Sequence, residues 1–155
     1  MEDKFKFGIL KENIAKMKTQ LPVILGNHAQ NFFTASWERQ GWDGKPWKDV
    51  KRHDESTSEY KYPIKLRARK LSSPILVGVY TGRSGGALRR AVSRSLRSTT
   101  FQSVRLVVDL PYAAAQNEGD AEKNLPARPF MKQSRQLTKE QREKIKLFMD
   151  GLWQE

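Results

Sequence analysis

Two groups of residues in this sequence are of a type to do chemistry. One is the glycine- and arginine-rich run from Gly78 to Leu96, GVYTGRSGGALRRAVSRSL; the other is the pair of histidines, His28 and His53. Glycines beside cations offer backbone N–H groups and positive charge to a phosphate. A phosphate loop of the G-x-x-x-x-G-K-[ST] type needs a spacing that is missing here. Gly78 to Gly82 is one residue short, Arg83 stands where lysine belongs, and the next acid that could hold magnesium is Asp109. The same glycines suit a plain turn, because glycine enters positive φ without a steric cost. The histidines are far apart, with no HxxxH spacing. His28 falls on an apolar helical face as a packing residue, and His53 lies among charged loop residues as a solvated one. The absence of cysteine excludes disulfides and thiolate metal sites and fits a reducing compartment. No pair of acids is set against an apolar pocket as a general acid and base would be. The expectation is therefore no catalysis, no cofactor and no metal.

Charge is the stronger signal. The net charge is +12, and from Tyr60 to Val108 there are eleven basic residues and no Asp or Glu, so one block carries nearly all the excess. Arg83, Arg89, Arg90, Arg94, Arg97 and Arg105 could each neutralise a phosphate, with Tyr80 and Phe101 nearby. No zinc-finger, RNA-recognition or KH signature accompanies them, so the attraction would be general rather than sequence-reading. Arginine also pairs with carboxylates at protein interfaces, and a charged face can simply be solvated. Composition leaves these three readings open.

The elements that must position these residues follow from periodicity. Residues 5 to 40 read as helix, with Phe7, Leu10, Ile14, Met17, Leu21, Ile24, His28, Phe32 and Ala35 on one face. Pro22 interrupts the run, and a kink or a junction of two helices is expected there. A helix this long and apolar needs its own sheet or a neighbouring subunit to pack on. Residues 41 to 63 read as loop, anchored by Trp42 and Trp47. KLRARKL is helical or extended, and PILVGVY is a strand or the start of a buried helix. A short helical turn at Ala87–Arg90 should pass into a hairpin, with strands at 91–98 and 103–109 and TTFQ turning between them; the competing reading makes GALRRAVSRSL an amphipathic helix with Leu88, Val92 and Leu96 on one stripe. PYAAAQNEG predicts a short helix closed by Gly119, and NLPARPF an extended arm. Thr138-Lys-Glu-Gln141 has capping-box spacing and should open a helix carrying Ile145, Phe148 and Leu152 on one side.

The result is a single α+β domain over 1–155: a long N-terminal helix kinked or split near Pro22, a small antiparallel sheet, a short helix and a C-terminal helix. Within it, 1–40 is a helical arm, 41–74 is loop-rich, 75–119 holds the sheet, and 120–155 holds the proline-containing arm and last helix. No apolar run approaches the roughly 18 to 20 residues of a membrane span, and MEDKFKFGILKEN lacks an export pattern.

The ordered motifs carry a resemblance. An amphipathic helix leads to DGKPW (Asp43 to Trp47), then to ILVGVYTGRSGGALRRAV, PYAAAQNEG and LPARPF, with a polar connector and a terminal helix after them. From about Phe7 to Leu152 the chain resembles the phage virion morphogenesis, or tail completion, proteins of Mu-like contractile-tailed phages. It departs from their pattern in the SGG inserted before Leu88 and in Gln116-Asn117-Glu118, where a histidine or aromatic often precedes the glycine.

The resemblance implies a non-catalytic virion component at the head–tail joint (the neck) or upper tail, made in the bacterial host cytoplasm. Such a subunit forms a homo-oligomeric ring around the DNA channel. Its partners would be a head–tail connector, a tail terminator or the tail tube and sheath, with passing contact with genomic DNA and none with membrane. Carried onto this sequence, the subunit or partner interface candidates are Trp47, Thr81, Gly82, Arg83, Leu88, Tyr112, Arg128, Pro129 and Phe130. Arg89, Arg90, Arg94, Arg97 and Arg105 are candidates for DNA or an acidic partner.

Overall fold

A 28-residue helix, α1 (Phe7–Thr34), is the axis on which the other elements pack, as seen in a computed structural model that describes residues 7–61, 74–77 and 86–153. After Ala35 a short helix, α2 (Ser36–Arg39), continues the run. A tight hairpin follows, β1 (Gly41–Trp42) pairing antiparallel with β2 (Lys45–Pro46), then a 3-10 turn at Lys51–His53 and α3 (Ser58–Lys61). The chain goes on through α4 (Ala87–Val92) into a second antiparallel hairpin, β3 (Leu96–Thr99) and β4 (Val104–Leu106). It ends with α5 (Ala113–Glu118), an arm that lacks regular structure over 126–130, and α6 (Arg135–Trp153). The class is α+β, and its antiparallel pairing comes as two separate two-stranded hairpins.

Pro22 does not split α1. Of the two forms expected there, kinked or split, the split is not found: the helix runs unbroken through Pro22, and a second helical segment begins after Ala35. A proline inside a helix costs roughly 3 kcal/mol, and burial of Leu21 and Pro22 on the second hairpin offsets it. The buried face comprises Asn13, Leu21, Pro22, Gly26, Ala29, Phe32 and Phe33. It drifts off the expected stripe, because Phe7, Ile14 and Ile24 point outward. Gly26 marks the closest approach: a Cβ there would lie 2.9 Å from Leu96 Cδ1 and 3.1 Å from Val104 Cγ1. Next to it the Gln30 side chain holds the start of β3. It donates to Ser93 O at 2.6 Å and accepts from Leu96 N at 3.1 Å.

The second hairpin starts later than periodicity predicts. Residues 91–92 complete α4 and strand begins at Leu96, because Leu88 and Val92, one helical turn apart, are both buried in the core. The hairpin loop is Phe101-Gln102, closed by Thr100 N–H to Ser103 O at 2.8 Å. The segment 41–63, read as loop, contains the first hairpin. Asp43 and Gly44 both have positive φ, 50° and 80°, which suits a two-residue turn of primed type. In the apolar run, Ile75 is buried and Pro74 to Val77 form a turn. KLRARKL and residues 78–85 lie outside the described residues.

The core is aromatic. Phe32 and Phe33 meet the Trp42 ring at 5.7 and 5.8 Å, and Trp37 meets Trp47 at 5.8 Å and Phe130 at 5.2 Å. The α6 helix lies along α1, tied by Asn13 Nδ2 donating to Leu152 O at 2.7 Å. Its start is one turn earlier than the Thr138 capping box. Ser134 is the cap, accepting from Leu137 N at 3.1 Å, while Thr138 sits inside the first turn and donates to Ser134 O.

Gly119 closes α5 as expected, with φ 87°, and a Cβ there would stand 2.9 Å from the backbone nitrogen of Ala127. Gly119→Ala should therefore lower unfolding stability by about 1–3 kcal/mol in urea denaturation. An unchanged midpoint would contradict the tight approach of the arm to α5.

Candidate functional site

Motifs that are 80 to 90 residues apart in sequence meet at the first hairpin. Trp47 Nε1 donates to Pro129 O at 2.7 Å. The Arg128 guanidinium reaches the other way, with Nε donating to Lys48 O at 2.9 Å and Nη2 to Asp49 O at 3.1 Å. Phe130 fills the space against Trp37 and is 2% exposed. An arm with prolines at 126 and 129 cannot join a sheet ladder, so its remaining polar groups need side-chain partners. Asn117 supplies them: its Oδ1 accepts from Phe130 N and Met131 N, both at 3.0 Å, and Nδ2 donates to Met131 O at 3.2 Å. Gln116 O accepts from Arg128 N at 2.9 Å.

Asp43 completes the closure. Its Oδ1 accepts from Ser134 Oγ at 2.6 Å, and its carboxylate lies 3.4 Å from the Arg135 and Gln136 amides at the start of α6. The Ser134 hydroxyl holds the Asp43 carboxyl below its usual 3.8; burial opposes it as the next-largest effect, and the Gln136 and Arg135 amides and then the Arg135 charge add to the lowering. At the other side of the lock, burial and then the neighbouring Arg52 push the Arg128 guanidinium below its ordinary value, with Asp49 acting against them.

Trp47, Arg128, Pro129 and Phe130 are thus brought together as a lock inside the chain. As partner contacts these residues give way. Trp47 and Arg128 are each 6% exposed, and Leu88 is equally enclosed at 4%. Tyr112 remains on the surface at 45% exposure. Thr81, Gly82 and Arg83 lie outside the described residues.

The arginines divide. Arg89 is engaged, donating to Glu38 Oε1 at 2.8 Å, and Arg90 is exposed on the same helix. Arg94, Arg97 and Arg105 are exposed, and their side chains have no hydrogen bond or ion pair among the described residues. An irregularity in β3 orients two of these. Leu96 pairs with Leu106 and Thr99 with Val104, both facing α1, and the extra residue between them leaves Arg97 and Ser98 outward opposite Arg105. Behind the hairpin tip lies an apolar groove of about 220 Å³, bounded by Leu21, Pro22, Leu25 and Val104. Phe101 at the tip is 51% exposed.

Both histidines are held by carboxylates. His28 Nε2 lies 3.1 Å from Glu140 Oε2 across the α1–α6 seam, and His53 Nδ1 lies 2.6 Å from Asp49 Oδ1. His53 is therefore part of the Asp49 cluster instead of being freely solvated. Among the described residues no group of three His, Cys, Asp or Glu is placed to hold a metal ion, and no helix is long and apolar enough to cross a membrane.

Sequence reasoning missed Asp43 as a cap and Gln30, Asn117 and Gln40 as backbone anchors, the last with its Oε1 accepting from Ile75 N at 2.7 Å. Only the Asp-Gly pair carried a readable signal, as a hairpin turn.

Two expected outcomes follow from the lock. Arg128→Lys loses the fork that reaches two carbonyls and should cost about 2–4 kcal/mol in chemical denaturation, whereas Arg89→Ala, at an exposed pair, should change stability by less than about 0.5 kcal/mol. Because the folded Asp43 pKa is depressed, its charge stabilises fully above the unfolded value and is lost as pH falls through the folded one. Stability curves of wild type and Asp43→Asn should therefore differ at neutral pH and converge below 3.8. A gap that does not change with pH would contradict the carboxylate cap. No protein-family model, curated protein or solved structure matches this chain, so the reading of these surfaces rests on their own geometry.

Proposed function

We propose that this protein is a structural assembly subunit of the tail completion or head–tail joining kind, working in a homo-oligomeric ring around the DNA channel of a tailed phage. The observation that supports this most is the convergence of the resembling motifs. DGKPW and LPARPF are distant in sequence and interlock in space through Trp47 and Arg128, while Asn117, where the chain departs from the family pattern, adds its own bonds to the arm. Residues that carry a family pattern for structural reasons should behave in this way.

A subunit of this kind also needs surfaces for neighbours, and α1 offers them. Ile9 and Val23 stand exposed on the side of α1 away from Leu21 and Phe32, and Ile24, along with Phe7 and Ile14 toward its N-terminal end, is exposed as well, all at 38 to 72%. Burying apolar side chains of this size against a neighbour contributes roughly 1.5–3 kcal/mol each. The locked arm and the C-terminal helix would then be the rigid frame behind the docking face. Partners at the head or tail side would meet this frame through Tyr112 and the loops.

Deleting the gene from its phage should leave DNA-filled heads and complete tails that fail to join, as seen by electron microscopy of lysates. Infectious virions at the normal yield would overturn the reading.

A further inference from the structure

We infer that the outward face of the β3–β4 hairpin is a docking surface for the phosphodiester backbone of duplex DNA. The source of that DNA rests on the channel-subunit reading, but the surface is defined by its own residues. Arg97 and Arg105, and Arg94 in the turn that leads into β3, are exposed with no side-chain partner among the described residues, and the irregular register between Leu96 and Ser98 turns Arg97 outward opposite Arg105. Ser98 and Gln102 add a hydroxyl and an amide donor along the same ribbon, whereas the Thr100 hydroxyl is taken up in the turn by Ser103 O. Arginine, serine, threonine and glutamine are the side chains that contact phosphate oxygens. A two-stranded ribbon is also narrow enough to enter a major groove.

Charge complementarity selects this occupant. The sequence has no carboxylate from Tyr60 to Val108, so nothing on the hairpin competes for its cations. The other basic surface, on α6, is mixed: Lys139 and Arg142 share their groove with Glu143 and Asp43. An acidic protein partner fits less well, because the centres of protein interfaces are apolar and depleted in charge, and Phe101 is the large apolar side chain that this ribbon exposes. Three phosphates neutralised per subunit give weak binding alone and strong binding when repeated around a ring.

The test uses the purified full chain and a labelled random-sequence duplex, with anisotropy titrations between about 50 and 200 mM salt. Replacing Arg94, Arg97 and Arg105 with Ser should weaken binding about tenfold or more at low salt and flatten the salt slope by about two to three. Replacing Lys139, Arg142 and Lys146 with Ser removes the same charge from α6 and should change affinity less than about threefold. A variant with Lys at all three hairpin positions should keep most of the slope, which separates charge from any effect on folding. Equal losses from the two serine variants would overturn the proposal, as would no binding at low salt. Tighter binding of poly-glutamate with the same arginine dependence would assign the face to an acidic protein instead. Tighter binding of single strands, lost in Phe101→Ala, would likewise replace the duplex. None of these outcomes touches the head–tail joining experiment, so the two readings fail separately.

Discussion

Burial of a proline-containing arm is the constraint around which this fold is organised. The segment from Leu125 to Met131 brings Phe130 into the centre of the core, where it meets Trp37. A backbone buried without helix or sheet partners would leave polar groups unpaired, each costing about 1–3 kcal/mol. Side chains from two other regions meet that demand, Trp47 beside the first hairpin and Asn117 of α5, and the arm's own Arg128 reaches back to the Lys48 and Asp49 carbonyls. Because these bonds come from indole, guanidinium and amide groups of fixed geometry, they accept one arrangement of the arm. The aromatic cluster supplies most of the apolar burial, and the polar bonds select which packing of it is reached.

The second hairpin solves a different problem. A two-stranded ribbon cannot be stable in water by itself and needs a packed face. Leu96, Thr99, Val104 and Leu106 provide that face against α1, at the place where Gly26 lets the backbones approach. Strict alternation from Leu96 would have turned Thr99 outward, and the extra residue restores it to the packed side. The same irregularity leaves arginine and serine together in solvent. Packing and surface charge are thus set by one feature of the register.

Much of this was legible from local pattern. α5 with its closing glycine, the extended arm and the α6 apolar side follow from Gly119, the paired prolines and the spacing of Ile145, Phe148 and Leu152. Long-range contacts were less readable. Gln30, Gln40 and Asn117 look like ordinary surface amides in sequence, yet each one's side chain serves the backbone of a distant segment. The expected α1 stripe holds for Leu21 and Phe32, yet Ile14, about five turns before Phe32 and on the same face, is exposed, because periodicity tells which residues share a face and not which neighbour covers them. Thr138 imitated a helix start because its spacing to Gln141 is right, while the true cap, Ser134, has no acid three residues on. The interface candidates Trp47, Arg128 and Phe130 were legible as a set, but their inward direction depends on contacts that no local pattern shows.

Asp43 joins two elements that the chain makes at very different times. It is a residue of the β1–β2 turn and also the carboxylate that receives Ser134 at the head of α6, 91 positions later. A helix whose first turn is completed from so far away gains its last stabilisation only when the earlier turn is in place. Loop-closure entropy makes such a contact late in folding and slow to form. Fraying at the start of α6 should in turn loosen the first hairpin. In amide hydrogen exchange, the backbone protons of Trp47 and Leu137 should therefore open as one cooperative unit despite their separation in the chain.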